Sequence, residues 1–338
     1  MKRVLISGGF GFLGTTLIET LIKRYGNAIK IHVVDNLTTN PISYEMFLEE
    51  ISHPDFLTYD IAPIHEFCQS TKDTEWDVIY HLASVVGPAG VLEYGGRIAF
   101  LINRDAYVVS QFAIETGAKL VDISTSEIYG GGQEGLCKED YPRIISANYS
   151  SRLEYATGKL ASEVALCNMT KVSDLDATII RPFNIAGPRQ SGRGGFVLPR
   201  FIGQAMLGHP LTVFGDGSQI RAFTHVEDMA NGIILGAEKG GNGVAYNLGN
   251  ISNKVTILEM AEAVRELVNV KAEINFVDPK ELYGPLYREA NDKFPDATLA
   301  QQDLGWECEL SCEAVINDAA EYMSKLDTTS LKELSGVS

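Results

Sequence analysis

The sequence predicts a doubly wound α/β fold, in which helices cover both faces of a parallel β-sheet. Through the first half of the chain, short apolar runs alternate with segments whose apolar residues recur at helical spacing. This alternation is typical of parallel sheets, because each strand is followed by a crossover helix. In addition, GGFGFLG at residues 8–14 places three glycines at intervals of three between the first predicted strand and the first predicted helix.

The predicted elements follow one another in a regular order. Strands are expected at residues 4–7, 31–35, 56–60, 78–81, 120–124 and 178–181. Helices are expected at residues 15–24, 99–116, 155–169, 256–268 and 312–325. Beyond residue 181, glycine-rich and proline-rich connections indicate a smaller capping region, and we expect segments 222–228 and 245–250 to return to the main sheet.

The glycine-rich stretch has a specific physical use at the start of a helix. Gly8, Gly11 and Gly14 permit a tight turn, a close approach of the backbone to a pyrophosphate and close packing of helix on strand. The amino terminus of the helix then offers unpaired N–H groups to phosphate oxygens. Asp35, at the end of the second strand, can bind a ribose 2′-hydroxyl and repel a 2′-phosphate, which favours NAD over NADP. The alternative is that Asp35 only forms a turn before Asn36.

These patterns divide the 338 residues into two coupled parts. We assign residues 1–181 and about 222–250 to an NAD-binding part of Rossmann type, and about 182–221 and 251–330 to a substrate-binding part. Residues 331–338 are the end of a tail, beginning near residue 328, that we expect to be frayed.

The composition argues against several kinds of partner. The formal net charge is −16 at pH 7, which opposes nonspecific binding to nucleic acid or to anionic membranes. No apolar run approaches the length of a membrane span. The five cysteines are scattered and indicate neither a disulfide framework nor a metal site, so we expect a cytoplasmic protein.

A second group of residues indicates proton transfer. Tyr155 and Lys159 are four residues apart on one helix face, so we expect the ammonium to favour the phenolate that acts as a general base. That spacing alone is common. Thr125, in STSEIYG at residues 124–130, falls at the carboxyl edge of the predicted sheet and could hold a sugar hydroxyl there, while Glu127 adds a carboxyl group for a second proton transfer. The alternative for Thr125 is turn capping.

Together these residues resemble the extended short-chain dehydrogenase/reductase family, and within it the nucleotide-sugar epimerases, dehydratases and decarboxylases. The resemblance covers nearly the whole chain and rests on GGFGFLG, HLAS, STSEIYG, YATGK, RPFNIAGPRQ, VFGDGSQIRAFTHVEDMA and PDATLAQQDLGW. It implies an enzyme that oxidises a sugar at C4, passes through a 4-keto sugar and returns the hydride in the same active site. NAD would be a tightly held prosthetic group.

The resemblance also implies roles for individual positions. Thr125, Tyr155 and Lys159 would be the catalytic trio, with Glu127 as a further catalytic carboxylate. The cofactor would contact Gly8, Gly11, Phe12, Leu13, Gly14, Asp35, Asn36, Asp60, Ile61, Leu82, Ala83, Ser84, Asn103, Ser124, Tyr155, Lys159 and Pro182. The nucleotide sugar, with a UDP-sugar favoured, would contact Val86, Ser126, Glu127, Asn184, Val197, Leu198, Arg200, Arg221 and Arg288.

Two features favour the decarboxylase branch of the family. The Thr-Ser-Glu triplet is similar to that of the hexuronate decarboxylases and of the GDP-mannose dehydratases. The spacing of Arg152, Tyr155, Gly158 and Lys159 is similar to that of decarboxylases that act on UDP-glucuronate. Decarboxylation of UDP-glucuronate is therefore the narrow expectation.

One position departs from the decarboxylase pattern. Those enzymes carry an arginine two residues before the proline of the late Pro-Asp motif, whereas this chain has Lys293 before Pro295. Lysine keeps the charge but loses bidentate geometry. C4 epimerisation and 4,6-dehydration therefore stay open as alternatives, as does a noncatalytic protein that binds NAD or a sugar nucleotide. Because two helices per subunit usually pair in this family, helices 99–116 and 155–169 predict a homodimer.

Overall fold

The computed structural model describes residues 2–71, 75–130, 135–143, 145, 150–278 and 292–337. Its strands are, in chain order, β1 (Lys2–Ser7), β2 (Ile29–Asp35), β3 (Leu57–Ile61), β4 (Val78–His81), β5 (Lys119–Ile123), β6 (Leu136–Cys137), β7 (Ala177–Pro182), β8 (Ile185–Ala186), β9 (Leu211–Phe214), β10 (Ile220–Ala222), β11 (Thr224–His225), β12 (Val244–Leu248), β13 (Lys254–Thr256), β14 (Ile274–Val277) and β15 (Phe294–Pro295). Its helices are α1 (Phe12–Tyr25), α2 (Tyr44–Glu50), α3 (Ile64–Ser70), α4 (Pro88–Glu93), α5 (Ile98–Thr116), α6 (Ser151–Val172), α7 (Val197–Leu207), α8 (Val226–Lys239), α9 (Ile257–Val268), α10 (Thr298–Leu304), α11 (Cys312–Ser324) and α12 (Thr328–Ser335). Turns of 3-10 helix lie at Gly26–Ala28, Ser126–Tyr129, Gly192–Gly194 and Ile251–Asn253.

Seven strands form one sheet in the order β12-β7-β5-β4-β1-β2-β3, and every neighbouring pair is parallel. The six strands expected from the sequence are present, each within two residues of the expected bounds. Because β1 pairs with both β2 and β4, the direction of winding reverses between β1 and β4. Ligands bind at such a reversal, outside the carboxyl ends of the strands. The predicted doubly wound α/β fold is confirmed.

Helices cover both faces of this sheet. On one face α1 and α8 pack together and contribute buried residues that include Leu17, Ile18, Leu21, Ile233 and Ile234. On the other face α3, α5 and α6 pack together, with Val109, Phe112 and Leu166 in the core. Because each face is covered, the central strands carry apolar side chains in both directions. No helix within the described ranges is long and apolar enough to cross a bilayer.

A second core forms from elements beyond residue 182, around α7, α9, α11 and α12. Its buried side chains include Leu198, Phe201, Val264 and Ile316. Short strand pairs accompany it, namely β8 with β11, β9 with β14 and β10 with β13.

The two segments that were expected to rejoin the main sheet behave differently. Segment 245–250 is confirmed as a strand of that sheet, because β12 pairs with β7 at its edge. The expectation for segment 222–228 is wrong. Its two-residue strand β11 pairs with β8 instead, and α8 begins at Val226. The apolar alternation in this segment reflects burial between a short strand and a helix start.

The expectation of a frayed tail from residue 328 is also wrong. Residues Thr328–Ser335 form α12, and Asp327 is its N-cap residue. The Asp327 carboxylate accepts hydrogen bonds from the N–H groups of Thr329 and Ser330. Leu331 and Leu334 are buried against the second core. This segment has few apolar residues, but they recur at helical spacing and form a narrow apolar stripe. Packing of that stripe against the second core stabilises the helix.

Candidate active site

The glycine-rich turn brings backbone groups close together at the switch point. Gly8 has a φ of 70°, which favours glycine, and its N–H donates to the Val34 carbonyl at 2.8 Å. A Cβ atom on Gly14 would lie 2.4 Å from the Gly8 carbonyl oxygen, and one on Gly8 would lie 2.8 Å from the Ala83 nitrogen. Both positions therefore require glycine if this turn is to keep its shape.

The first turn of α1 leaves its N–H groups open to a ligand. Gly11 is the N-cap residue, no side chain caps the helix, and its first turn carries no acidic residue. Phe12 and Leu13, which the resemblance places at the cofactor, form this turn and are partly buried. Backbone donors at a helix amino terminus suit a pyrophosphate.

Asp35 braces the same turn from the end of β2. Its Oδ2 accepts a hydrogen bond from the Phe10 N–H at 3.0 Å, and its Oδ1 accepts one from the Leu37 N–H at 2.8 Å. Burial raises the pKa of the Asp35 carboxyl, although these two hydrogen bonds oppose the shift. Asp35 therefore combines the turn-forming role with a position beside the glycine-rich turn, where a ribose would lie.

The residues that are expected near the adenine lie at the ends of adjacent strands. Asp35 on β2 is the register partner of Ile61 on β3, and Val34 is that of Asp60. The Ile61 side chain is 46% exposed, so it offers an apolar surface to a base. Asp60 Oδ2 lies 3.0 Å from His32 Nε2. Asn36 follows Asp35 at the exposed edge of the same group.

The segment after β4 forms the other wall of the switch point. Leu82, Ala83 and Ser84 are partly buried there, and the Ala83 N–H donates to Ser7 Oγ at 3.3 Å. Ser7 Oγ also hydrogen-bonds His81 Nδ1 at 2.7 Å. Burial, together with the charge of Lys159, lowers the pKa of His81 to about 3, so this histidine is neutral at physiological pH.

Thr125 and Tyr155 lie near each other at the carboxyl edge of the sheet. Both side chains are buried, and Thr125 opposes the rise in the pKa of the Tyr155 phenol. Thr125 also accepts a hydrogen bond from the Glu127 N–H at 3.2 Å, so it caps the 3-10 turn as well. Ser124 Oγ is buried and has no hydrogen-bond partner within the described ranges, and Ser126, in the same turn, is also buried.

The residues of the chain alone do not lower the pKa of Tyr155 as the spacing of Tyr155 and Lys159 predicts. Burial raises the pKa of Tyr155, and Glu127 and Asp122 add to the rise, while Thr125 opposes it. Lys159, one helical turn further along α6, donates from Nζ to the Ile123 carbonyl at 2.6 Å. The Lys159 ammonium alone therefore does not favour the phenolate form of Tyr155.

Glu127 lies between two cations that are distant in sequence. Its Oε2 accepts a hydrogen bond from Arg152 at 3.1 Å, and its Oε1 accepts one from Lys293 at 2.8 Å. Burial opposes ionisation, but Lys293 and Arg152 outweigh it and lower the pKa of Glu127 to about 2. Glu127 is thus ionised at neutral pH and can accept a proton more readily than it can donate one. Sequence reasoning treated these three residues separately.

The expected substrate residues have mixed positions. Asn184 has a φ of 37°, a conformation that costs a non-glycine residue energy and that clusters at functional sites. Its Nδ2 donates to the Ala222 carbonyl at 3.3 Å. Arg221 donates to Asp292 at 3.0 Å, so a diphosphate would compete with that carboxylate. The side chain of Leu198 is 1% exposed within the second core, which leaves only its backbone for a ligand.

Other expected contacts are placed as follows. Val86 follows β4 and is exposed. Val197 begins α7, and Arg200 on the same helix lies over the ring of Phe214, which ends β9. Pro182 ends β7. Arg288 lies outside the described residues.

Asn103 has a clear structural role. Its Nδ2 donates to the carbonyls of Ala99 and Gly158, at 2.7 and 3.2 Å, and so ties α5 to α6 next to Lys159.

Sequence reasoning missed one buried group, Asp122. It occupies the middle of the apolar run LVDIS on β5, where a carboxylate is unusual. The position of a carboxylate within an apolar run was the feature of the sequence that could have identified Asp122.

The donors and cradles of this site fit NAD. The glycine-rich turn offers backbone N–H groups and lets a pyrophosphate approach the backbone closely, and Asp35 ends β2 beside it. At the edge of the sheet, the Ser124 hydroxyl has no hydrogen-bond partner among the described residues. The individual contacts stay predictions.

Comparison with known proteins identifies the family. The sequence profile of the NAD dependent epimerase/dehydratase family matches residues 4–249. The chain is 30% identical over 328 residues to the UDP-N-acetyl-alpha-D-glucosaminuronate decarboxylase of Bacillus cytotoxicus, covering 96% of this chain and 99% of the relative. It is 32% identical over 315 residues to UDP-glucuronic acid decarboxylase 1 of Arabidopsis thaliana, covering 91% and 67%.

A solved structure shows the same fold. The UDP-glucuronic acid 4-epimerase of Bacillus cereus, in complex with UDP-glucuronic acid and NAD, superposes with a TM-score of 0.80 at 23% identity, covering 96% of this chain and 100% of that one. Because the matching family is NAD dependent, the cofactor is NAD. The chain is an enzyme that belongs to the NAD dependent epimerase/dehydratase family.

Proposed function

We propose that this enzyme removes the carboxylate of a UDP-hexuronate, with UDP-glucuronate as the specific substrate, by way of a 4-keto sugar. The observation that carries the proposal is the ion cluster of Arg152, Glu127 and Lys293, whose carboxylate is close enough to Tyr155 to affect its pKa. Two cations and one carboxylate leave a net positive charge next to Tyr155. An anionic sugar benefits from that charge, whereas a neutral hexose does not need it.

The first step is removal of the proton from the C4 hydroxyl. Thr125 holds that hydroxyl while the Tyr155 oxygen accepts its proton, because these two side chains lie near each other in the buried edge of the sheet. Lys159 stabilises the negative charge that develops on the Tyr155 oxygen. Bound NAD would supply the acceptor for the C4 hydride and would return that hydride at the end of the reaction.

The second step breaks the C5–C6 bond. A 4-keto hexuronate is a β-keto acid, so CO2 leaves and the bonding electrons move into an enolate between C4 and C5. The enolate then takes up one proton from solvent at C5, and Tyr155 returns its own proton to the C4 oxygen when C4 is reduced again. Arg152 and Lys293 orient the carboxylate, and Glu127, ionised at neutral pH, does not protonate it.

The names of the relatives agree with this assignment. Both curated relatives described above are decarboxylases of UDP-linked uronic acids. The family resemblance also allows a C4 epimerase or a 4,6-dehydratase, and the name of the Bacillus cereus structure makes the epimerase the second candidate. All three reactions begin with the same C4 oxidation by Tyr155.

The test is incubation of the purified protein with UDP-glucuronate and no added cofactor. We expect CO2 release and a UDP-pentose of correspondingly lower mass. Parallel incubations contain UDP-N-acetylglucosaminuronate, UDP-glucose and dTDP-glucose. A product of unchanged mass indicates epimerisation and a loss of water indicates dehydration; either of these with no CO2 overturns the decarboxylase assignment. Intact UDP-glucuronate with an NAD-loaded preparation overturns it as well.

We also propose that the enzyme is a cytoplasmic homodimer without nucleic-acid or membrane partners. Large apolar side chains lie exposed on the packed pair of helices α5 and α6, including Phe100 at 67%, Tyr107 at 59% and Val164 at 54%. A second copy would cover them. The net charge of −16 opposes binding to other polyanions. Sedimentation is expected to give twice the chain mass, and a monomer at micromolar concentration contradicts the proposal.

A further inference from the structure

Asp122 is a buried carboxylate that the chemistry above does not use. It lies on β5, two residues before Ser124, and is 1% exposed. Its Oδ2 atom is buried and has no hydrogen-bond partner within the described ranges. Side chains alternate along a strand, so Asp122 shares with Leu120 the sheet face that α5 and α6 cover. A buried carboxylate without a partner costs free energy, so its presence calls for a reason.

Charged and titratable groups lie around this position: Lys159, Glu163 and Tyr155 on α6 and His81, the register partner of Asp122, on β4, with Asp105 on α5 near Lys159 and Arg181 on β7 paired with Glu163. The charge of Asp122 also raises the pKa of Tyr155. Most of these groups have other partners. Glu163 pairs with Arg181 at 2.7 Å, Asp105 pairs with Arg104 at 2.8 Å and His81 hydrogen-bonds Ser7 at 2.7 Å. Asp122 is therefore the carboxylate here that is left to interact with Lys159.

Lys159 needs such a partner. Its side chain is 4% exposed, and the Ile123 carbonyl accepts the hydrogen bond that holds its Nζ atom. Burial lowers the pKa of Lys159, and Asp122 opposes that shift ahead of Glu163 and Asp105. Without Asp122, the ammonium would depend on one carboxylate already paired with Arg181 and another paired with Arg104.

We propose that Asp122 is a positioning residue, whose buried charge stabilises the Lys159 ammonium one helical turn from Tyr155 and keeps it cationic for the C4 proton transfer. Asp122 itself touches neither the sugar nor the phenol. The part that concerns proton transfer rests on the proposed function, whereas the pairing of Asp122 with Lys159 does not.

The activity test compares wild type with Asp122→Asn over pH 6 to 10, using UDP-glucuronate. The variant keeps the shape of the side chain and removes its charge. We expect the alkaline limb of the kcat profile to move down by about one pH unit, so that kcat falls about tenfold on that limb. KM for the nucleotide sugar should stay unchanged, because Asp122 does not contact it. Asp105→Asn is the matched control, and it should keep the wild-type profile because Asp105 already pairs with Arg104. An unshifted profile in Asp122→Asn overturns the proposal.

A second test needs no substrate. Melting temperatures at pH 7.5 are measured for wild type, Asp122→Asn, Lys159→Met and the double variant. If the two side chains stabilise each other, the double variant loses less than the sum of the single losses. Additive losses overturn the pairing. If Asp122→Asn does not fold, Asp122→Leu, which replaces the carboxylate by an apolar side chain, completes the same cycle.

The two tests separate the possible failures. Wild type that leaves UDP-glucuronate intact overturns the proposed function, while the melting cycle still decides whether Asp122 pairs with Lys159.

Discussion

The ammonium of Lys293 lies 2.8 Å from the carboxylate of Glu127, although 166 positions separate the two residues in the chain. Arg152, in the first turn of α6, holds the other oxygen of that carboxylate. Glu127 thus joins the helix that carries Tyr155 to the segment that leads into Pro295. The lysine that departs from the decarboxylase pattern still reaches the site.

Removal of this lysine should impair catalysis strongly. Lys293→Met deletes a charge-assisted hydrogen bond, a kind of contact that contributes about 1.5–3 kcal/mol, so kcat/KM for UDP-glucuronate is expected to fall about tenfold to hundredfold. Lys293→Arg is the control, and it should keep most of the activity because it keeps the charge. Equal loss in both variants would show that the length of the side chain, rather than its charge, matters.

The same ion cluster predicts how acid affects stability. The pKa of Glu127 is lowered to about 2, below its unfolded value, so its ion pairs stabilise the fold above the unfolded pKa and are lost as the pH falls towards 2. Between about pH 5 and pH 3 the melting temperature of wild type should therefore fall more steeply than that of Glu127→Gln. Parallel curves for the two proteins would contradict the lowered pKa.

Tyr155→Phe is expected to separate chemistry from cofactor binding. The ring still fills its buried position, but the atom that accepts the C4 proton is gone, so turnover should fall by about 10²-fold to 10⁴-fold. The amount of NAD released from the denatured protein should match that of wild type. Tyr25→Phe, at the opposite end of α1 from the glycine-rich turn, is the control and should change neither quantity. Residual turnover near the wild-type rate would remove Tyr155 from the proposed chemistry.

The glycine-rich turn leads to a structural prediction. In Gly14→Ala the new Cβ atom would lie 2.4 Å from the Gly8 carbonyl oxygen, so the turn must distort, at a cost of about 1–3 kcal/mol. Bound NAD should be lost as well. Gly95→Ala is a matched control, because its Cβ atom would meet neighbours only at 3.4 Å. Melting temperature and NAD content test both variants, and equal behaviour would refute the steric argument.

Much of the fold could be predicted because local patterns and tertiary packing agree. Gly8, Gly11 and Gly14 belong to one turn between a strand and a helix, and their local spacing was enough to predict it, although Gly8 also packs against Val34 and Ala83. The strands ending at Asp35 and His81 are mostly apolar before those ends, so their burial could be predicted from the sequence. The 222–228 segment and α12 were misjudged because short elements take their structure from distant partners.

The site was harder to predict than the fold. Tyr155 and Lys159 are related by helix geometry alone, so their shared face followed from their spacing. The contact of Lys293 with Glu127 depends on how the chain returns to the sheet, which no local pattern encodes. The effect of burial on the pKa of Tyr155 likewise requires the packed structure, because spacing shows the ammonium but not the desolvation.

The close fit of α12 restricts how parts of this enzyme can be exchanged with those of relatives. A Cβ atom on Gly192 would lie 2.0 Å from the Ser335 carbonyl oxygen, and one on Gly203 would lie 2.2 Å from the Ser335 Cβ atom. The turn at Gly192–Gly194 also packs against Gly87, next to Val86. A chimera that imports a different sequence into that turn must import the matching terminal helix with it, or the two grafted surfaces will collide.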